Sequence, residues 1–446
     1  KIAVADINGD GLDDFYACGA KEQAGALMIQ QKNGTFVSAD TAVFLADARC
    51  EDVDAQFLDA NGDGYPDLYV VSGGNEIIGA NPMLLDRLYL NNGKGRYSKA
   101  AHSLPALYEN KSCITSADID RDGDLDIFVG NLARANAYGV PQTSYLLIND
   151  GSGVFSLAAE NKAALSGIGL VTSAAFADIN ADGWSDLIVA GEWMPITLFI
   201  NNGTRFQKTV IPQSTGWWQS LFVDDVDGDG MVDILAGNWG WNNKLWSGKN
   251  GPVKLYVSDF DKNGRTDQLL SYTSGGKEYP FLAKDEIERA LPLLRKHYLL
   301  YADYAGLPMD KAFYGYAETV TPLQAERLGS AVCYGNGKGG FSINDLPVEL
   351  QLAPVFAFQK IPGASGSSRY LCAGNFFDVT PYEGRYDAQP VAFFSCQKGN
   401  RITAIPQANL SALKGQFRDL KWLNTVRHGP VLVAAPNNEK LLFLKQ

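Results

Sequence analysis

Short apolar runs separated by acidic or glycine-rich turns recur along the whole chain, and their spacing predicts strands. Ser116-Ala117, Ala174-Ala-Phe-Ala177 and Leu221-Phe-Val223 lie just before acidic turns, and Leu68-Tyr-Val-Val71, Ile127-Phe-Val129, Leu187-Ile-Val-Ala190 and Ile234-Leu-Ala236 follow them. A third run then ends in an Asn/Gly turn and an aromatic residue, as in Leu88-Tyr-Leu-Asn-Asn-Gly-Lys-Gly-Arg-Tyr97, Tyr145 to Phe155 and Thr197 to Phe206. Four short strands in roughly 50–60 residues, with turn chemistry between them, is the pattern of a propeller blade. The expected fold class is therefore all-β. It is a single β-propeller over residues 1–446, with blades near 1–50, 51–110, 111–165, 166–212, 213–350, 351–410 and 411–446. Seven blades is the count this division gives, with six or eight as alternatives.

One segment breaks the pattern. Across 282–328, Ile287, Leu291, Leu294, Tyr298 and Tyr301 recur at helical spacing, and Asp285 with Glu288 has the form of a capping box. Pro292 is expected to kink this helix and Thr321-Pro322 to start another. The segment reads as an α-helical insertion in blade five, packed on the side of the propeller.

Six of the turns share the pattern D-x-[DN]-x-[DN]-G-x-x-D. Their donor sets are Asp6, Asn8, Asp10 and Asp14; Asp59, Asn61, Asp63 and Asp67; Asp118, Asp120, Asp122 and Asp126; Asp178, Asn180, Asp182 and Asp186; Asp225, Asp227, Asp229 and Asp233; and Asp259, Asp261, Asn263 and Asp267. Alternate side chains of a tight loop can converge on one point, and the glycine allows the sharp turn. Oxygen donors at positions 1, 3, 5 and 9 suit a hard cation that takes six to eight oxygens, so calcium is the expected ion, at five or six sites. Magnesium, which holds a strict octahedron and its waters, fits less well. Asp-Gly and Asn-Gly are also ordinary hairpin dipeptides, but repetition of the same four donor positions argues against chance. The loop at Asp259, with Asn263 and Arg265 inside it, is the weakest of the set.

Charge agrees with metal loading. Formal net charge is −12, and six divalent ions would bring it to about zero. No run of Lys and Arg marks a nucleic-acid surface, and no apolar stretch approaches the ~20 residues needed to span a bilayer. The chain opens inside a repeat, at Lys1-Ile-Ala-Val-Ala-Asp6, so a signal and a lipid anchor are expected upstream. Sites on such open loops need the higher free calcium outside the cytosol. An exported protein of the periplasm, outer membrane or cell surface is therefore expected. Six cysteines lack paired metal spacing; Cys50 and Cys113 are the one candidate disulfide, and the others read as small buried hydrophobes.

Catalytic constellations are missing from the sequence. His102, His297 and His428 lack ligand or triad spacing, and no G-x-S-x-G or H-E-x-x-H occurs. If the acidic loops all join first and second strands, they share one end of the disc. The remaining connections at the other end then hold Trp193, Trp217, Trp218, Trp239, Trp241 and Trp246, joined by Phe376, Tyr382, Arg385, Tyr386 and Asp387 from the sixth blade. Rings beside polar groups could form a platform for a glycan or peptide. The competing reading wedges these tryptophans between blades.

The Phe176-Ala-Asp-Ile-Asn-Ala-Asp-Gly183 and Leu90-Asn-Asn-Gly-Lys-Gly95 segments resemble FG-GAP or VCBS repeats, which build the integrin alpha-subunit propeller and many exported bacterial proteins. Gly237-Asn-Trp-Gly-Trp-Asn242, Gly374-Asn375 and Gly384-Arg-Tyr-Asp-Ala388 extend the likeness to large VCBS-repeat proteins of Gram-negative bacteria, often lipoproteins and sometimes carrying an ASPIC/UnbV-type module. The resemblance implies calcium on the six loops and supplies no catalytic residue. The function expected is a non-catalytic binding or cell-adhesion propeller, integrin-like, that recognises a glycan or protein and no nucleic acid. The alternatives are a polysaccharide lyase or hydrolase and a structural spacer in a larger exported protein.

Overall fold

Each acidic loop closes a hairpin between two antiparallel strands. The computed structural model describes residues 1–39, 41–245, 251–317, 320–363, 368–380, 383–397, 399–406 and 413–445. First strands Ile2–Ala5, Glu51–Leu58, Lys111–Ala117, Leu170–Ala177 and Ser220–Asp224 each pair with the strand leaving their loop: Asp14–Ala17, Asp67–Gly73, Asp126–Asn131, Asp186–Met194 and Asp233–Gly237. These second strands are covered on both faces, and Asp67–Gly73 and Asp126–Asn131 are buried throughout. That is why they read as unbroken apolar runs. Outer strands such as Phe206–Val210 expose all but their first residue.

The chain is all-β, built of the four-stranded antiparallel sheets of a β-propeller. Sheets beginning at Val355–Lys360 and Phe417–Thr425 follow the first five, and the last has three strands among the described residues. Neighbouring first strands lie side by side in chain order, and Phe417–Thr425 returns to lie beside Ile2–Ala5. A hydrophobic cluster fills each gap between sheets; Phe128, Val171, Leu187 and Phe199 form one, and Phe15, Leu423 and Val433 the one that closes the ring.

First strands of adjacent sheets share no ladder, so side chains join them. Ser112 Oγ donates to Val171 O at 2.6 Å, Thr172 Oγ1 to Trp218 O at 2.9 Å and Ser220 Oγ to Val355 O at 3.0 Å. Asp419 Oδ2 accepts the Ile2 N–H at 2.9 Å and carries the same device across the closure. Further out, the first Asn of the Asn/Gly turn reaches back to the preceding loop. Asn91 Nδ2 donates to Ile7 O at 2.8 Å, Asn149 Nδ2 to Ala60 O at 2.9 Å and Asn201 Nδ2 to Ile119 O at 2.7 Å. The sequence pattern marks these asparagines as turn formers; the fold uses them as buried clamps between sheets.

The insertion is larger than its helical pattern predicts. Between Asp233–Gly237 and Ala331–Gly335 lies a separate sheet, ordered Lys277–Pro280, Asp267–Ser274, Val253–Ser258 and Leu323–Ala325. The loop at Asp259 therefore joins strands of this sheet and not later strands of the fifth blade. Local sequence writes the same hairpin in either case, and only pairing decides which sheet it enters. Leu323–Ala325, after Thr321-Pro322, is a strand and not a helix. The helix at Lys284–Ala290 starts two residues earlier than the Asp285 box implies, with Glu286 accepting the Ala283 N–H, and it stops before Pro292. One face of the inserted sheet packs Tyr256, Phe260 and Leu269 against Ile287, Leu294, Tyr298 and Phe313; the other packs Leu255 and Val257 against the propeller. No described helix is long and apolar enough to cross a membrane. All six cysteines are free, Cys50 and Cys113 included.

Asn91→Ala leaves the buried Ile7 carbonyl without its donor and is expected to cost about 1–3 kcal/mol in chemical denaturation. Asn92→Ala, at the exposed neighbouring position, is expected to cost less than about half as much.

Candidate functional site

Within each loop the side chains wrap the backbone so that oxygens gather on one side. The position-one aspartates accept the N–H of the position-six glycine: Asp6 from Gly11 at 2.8 Å, Asp59 from Gly64 at 2.8 Å, Asp178 from Gly183 at 2.7 Å and Asp225 from Gly230 at 3.0 Å. Asp118 and Asp259 repeat this with Gly123 and Gly264. Position three accepts from position five, as Asn8 does from Asp10 and Asp227 from Asp229. Position five accepts from position seven, as Asp122 does from Asp124 and Asp182 from Trp184. The position-six glycines take left-handed φ values, +84° at Gly64, Gly183 and Gly264 and +100° at Gly123, where a Cβ would be strained.

Three loops gather three carboxylates whose oxygens lie within 4.8 Å of one another: Asp118, Asp120 and Asp122; Asp225, Asp227 and Asp229; Asp259, Asp261 and Asp267. Burial, then the neighbouring acids, pushes the Asp120 and Asp227 carboxyls up. Acid clusters of this kind, all oxygen and mutually repelling, fit a hard divalent cation. Where position three is Asn the cluster is milder, and Asn61 and Asn180 donate from Nδ2 to Asp63 at 3.0 Å and Asp182 at 2.8 Å.

Position nine has a second task that the motif does not announce. Asp14, Asp67, Asp126, Asp186 and Asp233 are fully buried or nearly so. One oxygen of Asp67 accepts the Ala60 N–H at 3.0 Å and the other accepts the Asn91 N–H of the third strand at 2.7 Å. Asp186 clasps Ile179 and Asn201 at 3.1 and 2.7 Å, and Asp233 clasps Val226 and Gly335 at 3.0 and 2.9 Å. Asp14 and Asp126 do likewise. Burial pushes the carboxyls of Asp14, Asp67, Asp186 and Asp233 up to about 6 and that of Asp126 up to about 7, against the lowering pull of these N–H donors. Asp267 is half-buried and accepts the Phe260 N–H at 3.1 Å.

Five loops join first to second strands of the ring and share one end. The Arg121 guanidinium of one lies 3.8 Å over the Trp184 ring of the next. The sixth does not join them. Asp261, Asn263 and Asp267 line a cleft of about 1220 Å³ together with Ile77, Arg134 and Gln142, residues of second-to-third strand connections. The Asp259 loop is thus at the opposite end, which corrects the expectation of one common rim.

That opposite end is also where the tryptophans lie, but it is roofed. Trp193 and Trp217 are 4.7 Å apart, Trp217 stacks on Trp239 at 4.6 Å and 9°, and Trp239 meets Phe376 and Tyr386 at 5.2 and 5.6 Å. Leu255, Val257, Leu270 and Tyr272 of the inserted sheet pack on this ladder and leave Trp193 and Trp239 buried. Trp193 holds a left-handed backbone at φ 61°. Its Nε1 donates to Tyr138 Oη at 2.7 Å, and that hydroxyl donates to Glu192 at 2.6 Å. Trp218 is not a platform residue: it is fully buried between the fourth and fifth sheets, with Nε1 donating to Ser214 O at 2.7 Å. Trp241 is half-buried, and Arg385 is exposed with its guanidinium 4.9 Å over Phe377. Trp246 and Tyr382 lie outside the described residues. An open platform is therefore replaced by a covered ladder, because hydrophobic rings at an end loop are buried as soon as another apolar face can reach them.

One accessible concavity at this end is the cleft beside the inserted sheet. Tyr108, Glu109, Arg134, Asn136 and Arg289 line it, none of which sequence patterning singled out. Their signal was weak: single Asn, Arg and Tyr residues scattered through long connections, without fixed spacing. Glu109 Oε2 is buried there without a hydrogen-bond partner.

Chelation of calcium is expected to lower the Tm markedly, and equal melting with and without chelator would exclude a structural ion. Asp63→Ala should lose most of its effect in the chelated protein. Asp67→Ala should cost about 2–4 kcal/mol in either state, because it removes a two-armed backbone clasp.

Residues 6–70, 59–129 and 178–236 each match the model of an FG-GAP-like repeat. No curated protein matches the chain. Similar solved structures include an Agrocybe aegerita lectin that recognises non-reducing terminal N-acetylglucosamine, at 15% identity over 79% of this chain and 95% of that one, with a TM-score of 0.35. The V. cholerae biofilm matrix protein Bap1 is similar at 11% identity over 100% of this chain and 80% of that one, TM-score 0.31, and BBS1N in complex with ARL6DN at 11% over 89% and 91%, TM-score 0.32. Scores of this size carry no inference about ligand or assembly. The repeat matches span the five acidic loops of the ring, and the chain carries FG-GAP-like repeats there.

Proposed function

We propose that this protein is a calcium-stabilised, non-catalytic binding or adhesion module that holds a glycan in the cleft between its inserted sheet and its propeller. The sheets are read as one seven-bladed propeller over residues 1–446, with calcium on the five rim loops as its stabiliser. The observation that carries the ligand reading is the cleft itself. It is about 1220 Å³, joins Tyr108, Arg134, Asn136, Gln142 and Arg289, and has an acidic metal loop for one wall. An aromatic face with forked and amide donors around it suits the apolar faces and hydroxyls of a saccharide. Calcium in the Asp259 loop would fix that wall, so binding is read as calcium-dependent. Open sites of this kind suit the calcium of an exported protein. A protein ligand at the same cleft is the neighbouring outcome.

A second reading, a polysaccharide-active enzyme, rests on Glu109, whose Oε2 is buried in the cleft without a hydrogen-bond partner. Polysaccharide turnover by the purified chain, abolished in Glu109→Gln, would establish it in place of the first.

On a glycan array with calcium, wild type is expected to retain a defined set of glycans. Arg134→Ala with Tyr108→Ala should lose it at least roughly tenfold, at unchanged Tm. Loss of all glycan signal in wild type, or retention in that variant, would remove the cleft from the proposal.

A further inference from the structure

The helical layer of the insertion carries a surface that its packing does not explain. Tyr298 and Tyr304 point inward, 3% and 8% exposed, and hold the layer on its sheet. Between them Leu299, Leu300 and Tyr301 are 85%, 66% and 56% exposed, and Tyr314 is 51% exposed with its ring stacked 4.0 Å from His297. Exposed leucines are common singly; two in sequence beside two tyrosines form a contiguous apolar tip. The tip is the turn that leads into the short helix Tyr301–Tyr304, with Leu300 at its N-cap.

Charge around the tip narrows what it enters. The chain carries a net −12, yet the stretch from Arg289 to Leu300 holds Arg289, Arg295 and Lys296 and no acid. Of the neighbouring acids, Glu288 pairs with Lys284 at 3.0 Å, while Asp303 and Glu286 accept the backbone N–H groups of Leu300 at 2.7 Å and Ala283 at 3.3 Å. Asp285 lies by the Tyr301 hydroxyl. Among the described residues neither Arg295 nor Lys296 forms an ion pair, and both are exposed. Aliphatic tips, amphipathic tyrosines and unpaired cations side by side match the layered chemistry of an anionic lipid surface: acyl chains, then interface, then headgroup charge.

The geometry points to the Leu299-Leu300-Tyr301 turn as a membrane-docking tip that seats the insertion in the headgroup layer of a bilayer bearing anionic lipids. Arg295 and Lys296 supply the attraction, and the leucines supply insertion. This lies on the outer side of the insertion, across its sheet from the tryptophan ladder.

Flotation of the calcium-loaded chain with phosphatidylcholine vesicles, with and without phosphatidylglycerol, tests this. Binding to the phosphatidylglycerol vesicles is expected, weakened by salt. Arg295→Glu with Lys296→Glu should weaken it by roughly fivefold or more per charge, and Leu299→Ser with Leu300→Ser by at least roughly tenfold. Both variants change exposed side chains, so equal urea unfolding curves confirm that they fold. The proposal is overturned if wild type fails to float with anionic vesicles. It is equally overturned if the serine variant floats like wild type, or if the tip proves to be a copy-to-copy contact, seen as a dimer that the serine variant abolishes without any lipid binding.

Discussion

A buried carboxylate at the exit of each of the five acidic ring loops ties that loop to the second and third strands of its sheet, and this half of the disc depends on it. Asp67 holds the Ala60 N–H of its own loop with one oxygen and the Asn91 N–H of the third strand with the other. The same clasp recurs at Asp14, Asp126, Asp186 and Asp233. A charge-assisted hydrogen bond is worth about 1.5–3 kcal/mol, so two of them offset much of the cost of taking the carboxylate out of water. That cost still shows in the raised carboxyl pKa values, which burial causes. A cation held by positions one, three and five would lie beside this buried charge and favour its ionised form.

The clasp then propagates sideways. Its third-strand partner, Asn91, Asn149 or Asn201, gives its side-chain amide to the position-two carbonyl of the preceding loop. The loops at Asp6, Asp59 and Asp118 are thereby bound through the position-two N–H to their own sheet and through the position-two C=O to the next. Nearer the first strands, Ser112, Thr172, Ser220 and Asp419 repeat the idea with different chemistry. Sheets that share no backbone ladder are joined by a sparse set of buried polar bonds, and apolar clusters fill the rest of each gap.

The inserted sheet changes the other end of the molecule. It places helices on its outer face and the tryptophan ladder under its inner face. By occupying the rings it withdraws them from solvent, and by standing off the second and third sheets it opens the cleft at Tyr108 and Arg134. The ladder is therefore an internal joint between insertion and propeller. Recognition chemistry passes to the side chains that the roof does not reach, and the roof's own outer turn carries the apolar tip at Leu299 and Leu300.

Local sequence determined the hairpins, because an acidic loop of fixed spacing flanked by apolar runs has one good solution: two antiparallel strands, a tight turn and oxygens drawn to one side. The all-β class follows from that periodicity, and the kind of repeat is marked by the residues that fill the loop. Which sheet a hairpin enters was decided only in three dimensions, since strand pairing depends on partners far along the chain; hence the Asp259 loop, written like the rest, sits at the opposite end. The same holds for aromatic residues. Trp218 and Trp239 have no local feature that marks them as buried, and it took the neighbouring sheet and the insertion to cover them. The cleft was illegible for the same reason, being assembled from unpatterned loops of separate sheets whose side chains meet only after the ring has closed.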